Sequence, residues 1–193
     1  MRHPLLSACA LAAVLVAPFA GAAPKDELHE AFAKFLAARS FHADVTNLAN
    51  GEKVSSMDFV APDRYRVQPA RGPAQVVVGD TIYMDMGGKL TPMPVPGVAK
   101  MVAQYRNPEF TREIENGMSV QALPDASVDG EPARVYAYTI TQPAKGDAKA
   151  WVSLKSGLPI QVESTGSFMG HTATTRVRYS HYDDASIHVD TPD

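Results

Sequence analysis

The chain has 193 residues, 45% of them apolar and 20% charged, with a formal net charge of -3. That composition belongs to a globular protein of one domain and excludes disordered and collagen-like chains. With no clustered excess of Lys and Arg to neutralise phosphates, nucleic acid is excluded as a partner.

Met1-Arg2-His3, the apolar run Leu5 to Phe19 and Ala20-Gly21-Ala22 form the charged, apolar and small-residue zones of a secretory signal peptide. Cleavage is expected after Ala22, leaving residues 23–193 as a single domain. Cys9, the only cysteine, leaves with the signal, so the exported chain has no thiol. A competing reading takes Leu6-Ser7-Ala8-Cys9 as a lipoprotein box with Cys9 lipidated. Against it, the stretch from Pro4 to Ala8 is shorter than the roughly 7 to 15 apolar residues of a signal core. No later stretch approaches the roughly 18 to 20 continuous apolar residues of a membrane-spanning helix. The expected setting is a bacterial periplasm, for a soluble chain with no disulfide, metal or cofactor.

In chain order, Lys25 to Ser40 reads as an amphipathic helix, because Leu28, Phe32, Phe35 and Leu36 recur at spacings of three and four. From Phe41 the period shortens. Phe41 to Leu48, Lys53 to Val60, Arg64 to Gln68, Gln75 to Gly79 and Thr81 to Met86 are runs of β-forming residues separated by turn residues such as Asn50-Gly51 and Gly79-Asp80. Pro92, Pro94 and Pro96-Gly97 then interrupt the strands. Val98 to Arg106 carries Val98, Met101, Val102 and Tyr105 on one helical stripe, and a second short helix is expected from Pro108 to Asn116-Gly117. Strands return in Ser119 to Leu123, Ala133 to Thr141, Lys149 to Leu154, Leu158 to Ser164, Thr174 to Tyr182 and Ile187 to Val189, with a turn at Asp129-Gly130. So many antiparallel strands with so few helices predict an α+β, mainly β fold: a curved half-barrel sheet wrapped over the N-terminal helix and one or two short lid helices.

The residues that carry chemistry are sparse. His181, Asp183, Asp184 and His188 lie near one another, but neither they nor the other histidines have the spacing of a zinc site, and solvated strand ends explain them. There is no G-x-S-x-G elbow. Ser167 and His171 flank a stretch whose Gly166 and Gly170 read as a hairpin connection, so no set of nucleophile, base and oxyanion donors is present and the expectation is a protein that is not an enzyme. Methionine stands out instead: Met84 and Met86 share a strand face with Ile82, and unbranched, polarizable side chains suit surfaces that repack around varied apolar partners. Tyr136, Tyr138 and Ile140 likewise share a face with Arg134.

The helix Lys25 to Ser40, Ser40-Phe41-His42-Ala43, Phe59-Val60-Ala61-Pro62-Asp63-Arg64-Tyr65-Arg66 and Val77-Val78-Gly79-Asp80-Thr81-Ile82-Tyr83 together resemble the opening half of the periplasmic LolA-like outer-membrane lipoprotein carriers. Ala150-Trp151-Val152, Gly157-Leu158-Pro159-Ile160 and Tyr179-Ser180-His181-Tyr182 are similar to the closing strands of the related LppX/LprG-type and sorting-protein branches. The resemblance implies a half-open barrel with an apolar cavity for acyl chains beneath a helical lid. It also implies an Arg immediately before the strand-turn proline that latches the lid; here that position is Ala61, and Arg64 comes three residues later.

The expected ligand is a lipid or acylated protein, held by Met57, Phe59, Tyr65, Val67, Ile82, Met84, Met86, Met101, Val102, Tyr136, Tyr138, Ile140, Trp151, Ile160 and Val162. The alternative is an envelope protein-interaction or stress-sensing module that uses the same half-barrel with a collapsed cavity and binds a protein partner.

Overall fold

The computed structural model describes residues 22–93, 107–141, 145–168 and 171–190. Helix α1 (Pro24–Ala37) starts where proline occupies the first turn, its missing N–H costing nothing there, and Asp26 and Glu27 complement the positive helix end. It stops three residues before the expected Ser40, because Ala38 is extended and Ser40 is already paired with Val60.

Eleven strands follow: β1 (Ser40–Asn47), β2 (Lys53–Val60), β3 (Arg64–Pro69), β4 (Gln75–Val78), β5 (Thr81–Asp85) and β6 (Leu90–Met93), then, after helix α2 (Pro108–Asn116), β7 (Met118–Val128), β8 (Glu131–Ile140), β9 (Gly146–Ser153), β10 (Pro159–Phe168) and β11 (His171–Ser180). They form one antiparallel sheet in the order β6-β5-β4-β3-β2-β1-β11-β10-β9-β8-β7. Each half is a meander of hairpins, and the first and last strands of the chain meet in the middle, with Ala43 opposite Tyr179. The sheet does not close: β6 and β7 are its two rims, as the expected curved half-barrel requires.

Asp129 and Gly130 both take positive φ, 50° and 86°, which is the conformation that joins two strands through a two-residue hairpin of matching twist. Gly157, in the β9–β10 turn, has a φ of +70°, a backbone conformation that favours glycine.

Two elements depart from the sequence pattern. The Pro-rich stretch contains β6, with Pro92 opposite Tyr83; proline is tolerated because β6 is a rim and has a ladder on one side only. Ile187 to Val189, read as a strand, is not one. The tail instead leaves β11 through His181 and Asp183, both with left-handed φ, and returns Tyr182 to the core, where its hydroxyl donates to the Pro159 carbonyl at 2.6 Å. Further on, Val189 is 5% exposed and Asp190 lines a hollow of about 180 Å³ with Arg66 and Val76, so the tail straps the sheet face opposite α1.

Opposed residues of an antiparallel pair share a face, so the register assigns every strand side chain to the concave side, against α1, or the convex side. The concave core has two parts. Leu28 and Ala31 of α1 pack with Met118, Tyr136, Tyr138, Ala150 and Val152, while Phe35 one turn later packs with Phe41, Ala43, Phe59, Tyr179 and Tyr182. One helix thus covers the middle of the sheet and β7 to β9.

Candidate functional site

The concave face continues beyond the helix as two rows across β2 to β6. The first starts at fully buried Phe59 and runs through Tyr65, Val77 and Ile82 to Met93; the second runs through Met57, Val67, Gln75, Met84 and Thr91. Burial falls along the first row, from 0% exposure at Phe59 to 44% at Met93, with Tyr65, Val77 and Ile82 half-buried. Neither core cluster around α1 includes a residue of β4, β5 or β6. Nine of the ten side chains in the two rows are therefore apolar, aromatic or, in Thr91, uncharged and small, and Gln75 is the only amide.

The root of these rows is an aromatic cluster that sequence reading did not single out. Phe41 stands 4.9 Å between ring centres from both Phe35 and Phe59, and Tyr65 lies 5.0 Å beyond Phe59. Tyr179 and Tyr182 present their edges or tilted faces to the same group at 5.0 to 6.4 Å. Burial raises the pKa of the Tyr179 hydroxyl to about 12, and that of Tyr182 further, so both stay neutral phenols. The available signal was the position of Phe41 directly after the helix, in phase with Phe59 across a two-strand hairpin.

Of the expected ligand-binding set, Met57, Phe59, Tyr65, Val67, Ile82 and Met84 lie in these rows, and Tyr136, Tyr138, Ile140 and Val162 lie on the concave face beneath α1. Tyr136 and Tyr138 are nearly closed off by the helix, at 2% and 9% exposure. Trp151 lies on the convex face, opposite Val135 on one side and Gln161 on the other. Ile160 falls in the irregularity between Pro159 and Gln161, so pairing does not fix its side. Met86 follows the end of β5 and is 65% exposed. Met101 and Val102, with the helix expected over Val98 to Arg106, lie outside the described residues.

Position 61 has a different role from a latch. The Ala61 N–H donates to the Arg39 carbonyl at 2.7 Å, and its methyl group packs against the aromatic cluster. Arg64 is opposite Val60 and Val78 on the convex side, away from α1, and does not stand in for the missing Arg.

Two polar contacts hold helices in place. His29 Nδ1 meets Glu115 Oε1 at 2.5 Å, joining α1 to α2. Glu27 accepts from Arg134 Nη1 at 2.6 Å and from the Tyr136 hydroxyl at 2.5 Å, tying α1 to β8. The Tyr136 hydroxyl, and after it Arg134, hold the Glu27 carboxyl below its ordinary pKa against an opposing effect of burial. Burial and then the bond to Glu27 push Tyr136 up to about 12. Since the folded carboxyl has the lower pKa, its contribution is complete above the unfolded value of about 4.3 and is lost as pH falls through the folded value. Glu27→Gln is expected to lower stability at pH 7 by at most about 1 kcal/mol after solvent screening. Urea titrations at pH 7 and pH 3 check this, the difference between parent and variant shrinking at the lower pH.

The histidine and carboxylate group of the tail is used locally. Asp183 Oδ1 accepts from the Arg39 N–H at 2.6 Å, Asp184 Oδ1 from the Ser186 N–H at 2.8 Å, and His181 shares a hydrogen with Ser180. No group of three His, Cys, Asp or Glu side chains able to hold a metal occurs among the described residues. Ser167 pairs with Thr172 and His171 with Phe168, so the two are not opposite one another. A hollow of about 570 Å³ lies over the convex face of β7 to β11, lined largely by polar residues including Gln121, Thr139, Asp147, Lys149 and Glu163.

An open antiparallel half-barrel packed around one helix, with apolar rows continuing past that helix, defines the structural class. No protein-family profile matches the sequence, and no characterised protein sequence matches it. Among solved structures, the lipoprotein LppX of Mycobacterium tuberculosis is similar over 86% of this chain and 97% of its own, with a TM-score of 0.64 at 14% identity. LprF from Mycobacterium bovis is similar over 88% and 96%, with a TM-score of 0.62 at 12% identity. MucB matches 89% of this chain over 62% of its own length, with a TM-score of 0.50 at 15% identity. The chain has the LppX-type half-barrel fold that the sequence resemblance implied. No helix among the described residues is long and apolar enough to cross a membrane.

Proposed function

We propose that the chain, exported to the periplasm and freed of residues 1–22, is a binding or carrier protein for an acyl chain, as a free lipid or on a lipoprotein, and has no catalytic activity. The observation that carries this reading is the pair of concave rows from Phe59 to Met93 and from Met57 to Thr91, which extend the apolar core outward across β2 to β6. The fold shared with the lipoprotein LppX and with LprF supports it. Binding is driven by desolvation: at about 0.8 kcal/mol per buried methylene, a sixteen-carbon tail offers on the order of 10 kcal/mol before the costs of ordering. The side chains proposed to face it are Met57, Tyr65, Val67, Ile82 and Met84, with Phe59 at the inner end.

Protein exported to a periplasm and purified without detergent is expected to carry extractable lipid, seen by native mass spectrometry, and after delipidation to bind a long-chain fluorescent fatty acid saturably. Extracts equal to a blank, together with no saturable fluorescence, would overturn the carrier reading in favour of the protein-interaction module.

A further inference from the structure

The two rims of the sheet are built differently. β6 has four residues, follows Lys89 and contains Pro92. The second half of β7 has Pro124 and Asp125 at a register shift between Leu123 and Ala126. Short length, proline, charge and bulges are the devices by which proteins keep a free edge from pairing with another strand.

The first half of β7 has none of them. Met118 to Leu123 is a run of six residues without charge or proline, in unbroken register with Ile140 to Val135 of β8. Beyond it, no described strand pairs with β7, and Ser119, Gln121 and Ala122 are exposed. We infer that this edge pairs antiparallel with the same edge of a second copy of the chain, across a two-fold axis at Val120.

The register follows from the side chains. In β7 the even positions Met118, Val120 and Ala122 are concave and Ser119 and Gln121 convex, since Val120 opposes Tyr138 and Gln121 opposes Ala137. A two-fold axis centred on a residue joins concave face to concave face; one centred between residues would set the apolar side of one copy beside the polar side of the other. Centred on Val120, Ser119 stands opposite the partner subunit's Gln121, two groups able to hydrogen-bond, and Met118 stands opposite the partner subunit's Ala122. Val120 meets the partner subunit's Val120. A centre one residue further would oppose Gln121 with itself and Ser119 with the partner subunit's Leu123, losing both matches. The uncharged Val120 matters most for a second copy, because a charge at that position would meet its like on the axis.

Sedimentation equilibrium of the purified chain from micromolar to millimolar concentration tests the proposal. The parent is expected to show a monomer–dimer equilibrium. Ser119→Lys with Gln121→Lys sets two lysine pairs opposite one another and is expected to weaken the dimer by about tenfold or more. Ser119→Lys with Gln121→Glu sets lysine opposite glutamate and is expected to dimerise at least as well as the parent. Both double variants change only exposed convex side chains, and circular dichroism confirms that each is folded. A parent that stays monomeric throughout overturns the proposal. So does a folded double-lysine variant that dimerises like the parent, or a folded lysine–glutamate variant no better than the double-lysine one.

Discussion

Phe41→Ala is expected to remove about 3–5 kcal/mol of folding stability, a drop of roughly 10 °C in melting temperature for a domain of this size. Phe41 is 4% exposed and its ring contacts Phe35 of α1, Phe59 of β2, Tyr179 of β11 and Tyr182 of the tail. Those neighbours come from three separated parts of the chain, so none can move into the vacated space without displacing the helix, the central strand pair or the tail. The large end of the range for a buried phenylalanine applies where collapse is prevented in this way. Guanidinium unfolding followed by circular dichroism and by the fluorescence of the single tryptophan measures it. Trp151 lies on β9 and the convex face, so coincident transitions would show that the cluster stabilises the whole sheet. A loss below about 1 kcal/mol would instead make the cluster a satellite of the Leu28 core.

The strand borders that were legible in the sequence are those fixed by local chemistry. Lys53 to Val60 ends at the Ala61-Pro62-Asp63 turn, and Asp129-Gly130 supplies the two positive φ values that a tight hairpin needs. What stayed hidden depends on distant partners. The pairing of β1 with β11 joins chain ends more than a hundred residues apart and has no local signature. A proline in a strand reads as a break until it is known that the strand is a rim, which is why β6 was not expected. Alternation also gives phase without giving side. In Lys149 to Leu154 it separates Trp151 from Ala150 and Val152, and the large aromatic is the natural choice for an interior face. The packing decides otherwise: Ala150 and Val152 share the core beneath the helix with Leu28 and Ala31, and Trp151 stands beside Val135 on the outside. In the row from Phe59 to Met93, alternation within strands singled out Phe59, Tyr65 and Ile82 but not Val77 between them, and the last member lay in the strand not recognised.

Ile82→Asp is expected to weaken binding of a long-chain fatty acid by more than about tenfold while leaving the chain folded. Ile82 is the fourth residue of the first concave row, opposite Val77 on one side and Met93 on the other. An acyl chain laid along that row would have to desolvate the carboxylate, at a cost of several kcal/mol, or leave this part of the row unoccupied and forfeit the methylenes buried there. Folding should tolerate the change because Ile82 is half-buried and belongs to neither cluster beneath α1. Thr81→Asp is the matched control: its side chain is on the same strand but on the convex face, opposite Val78, and should leave affinity within about twofold of the parent. Fluorescent fatty-acid titration of the delipidated proteins, with circular dichroism for folding, separates the outcomes. Equal loss in both variants would mean that β5 as a whole had been disturbed. Parent-like binding by a folded Ile82→Asp chain would mean that the ligand does not use this row, and the site would then have to lie among the side chains packed directly beneath α1.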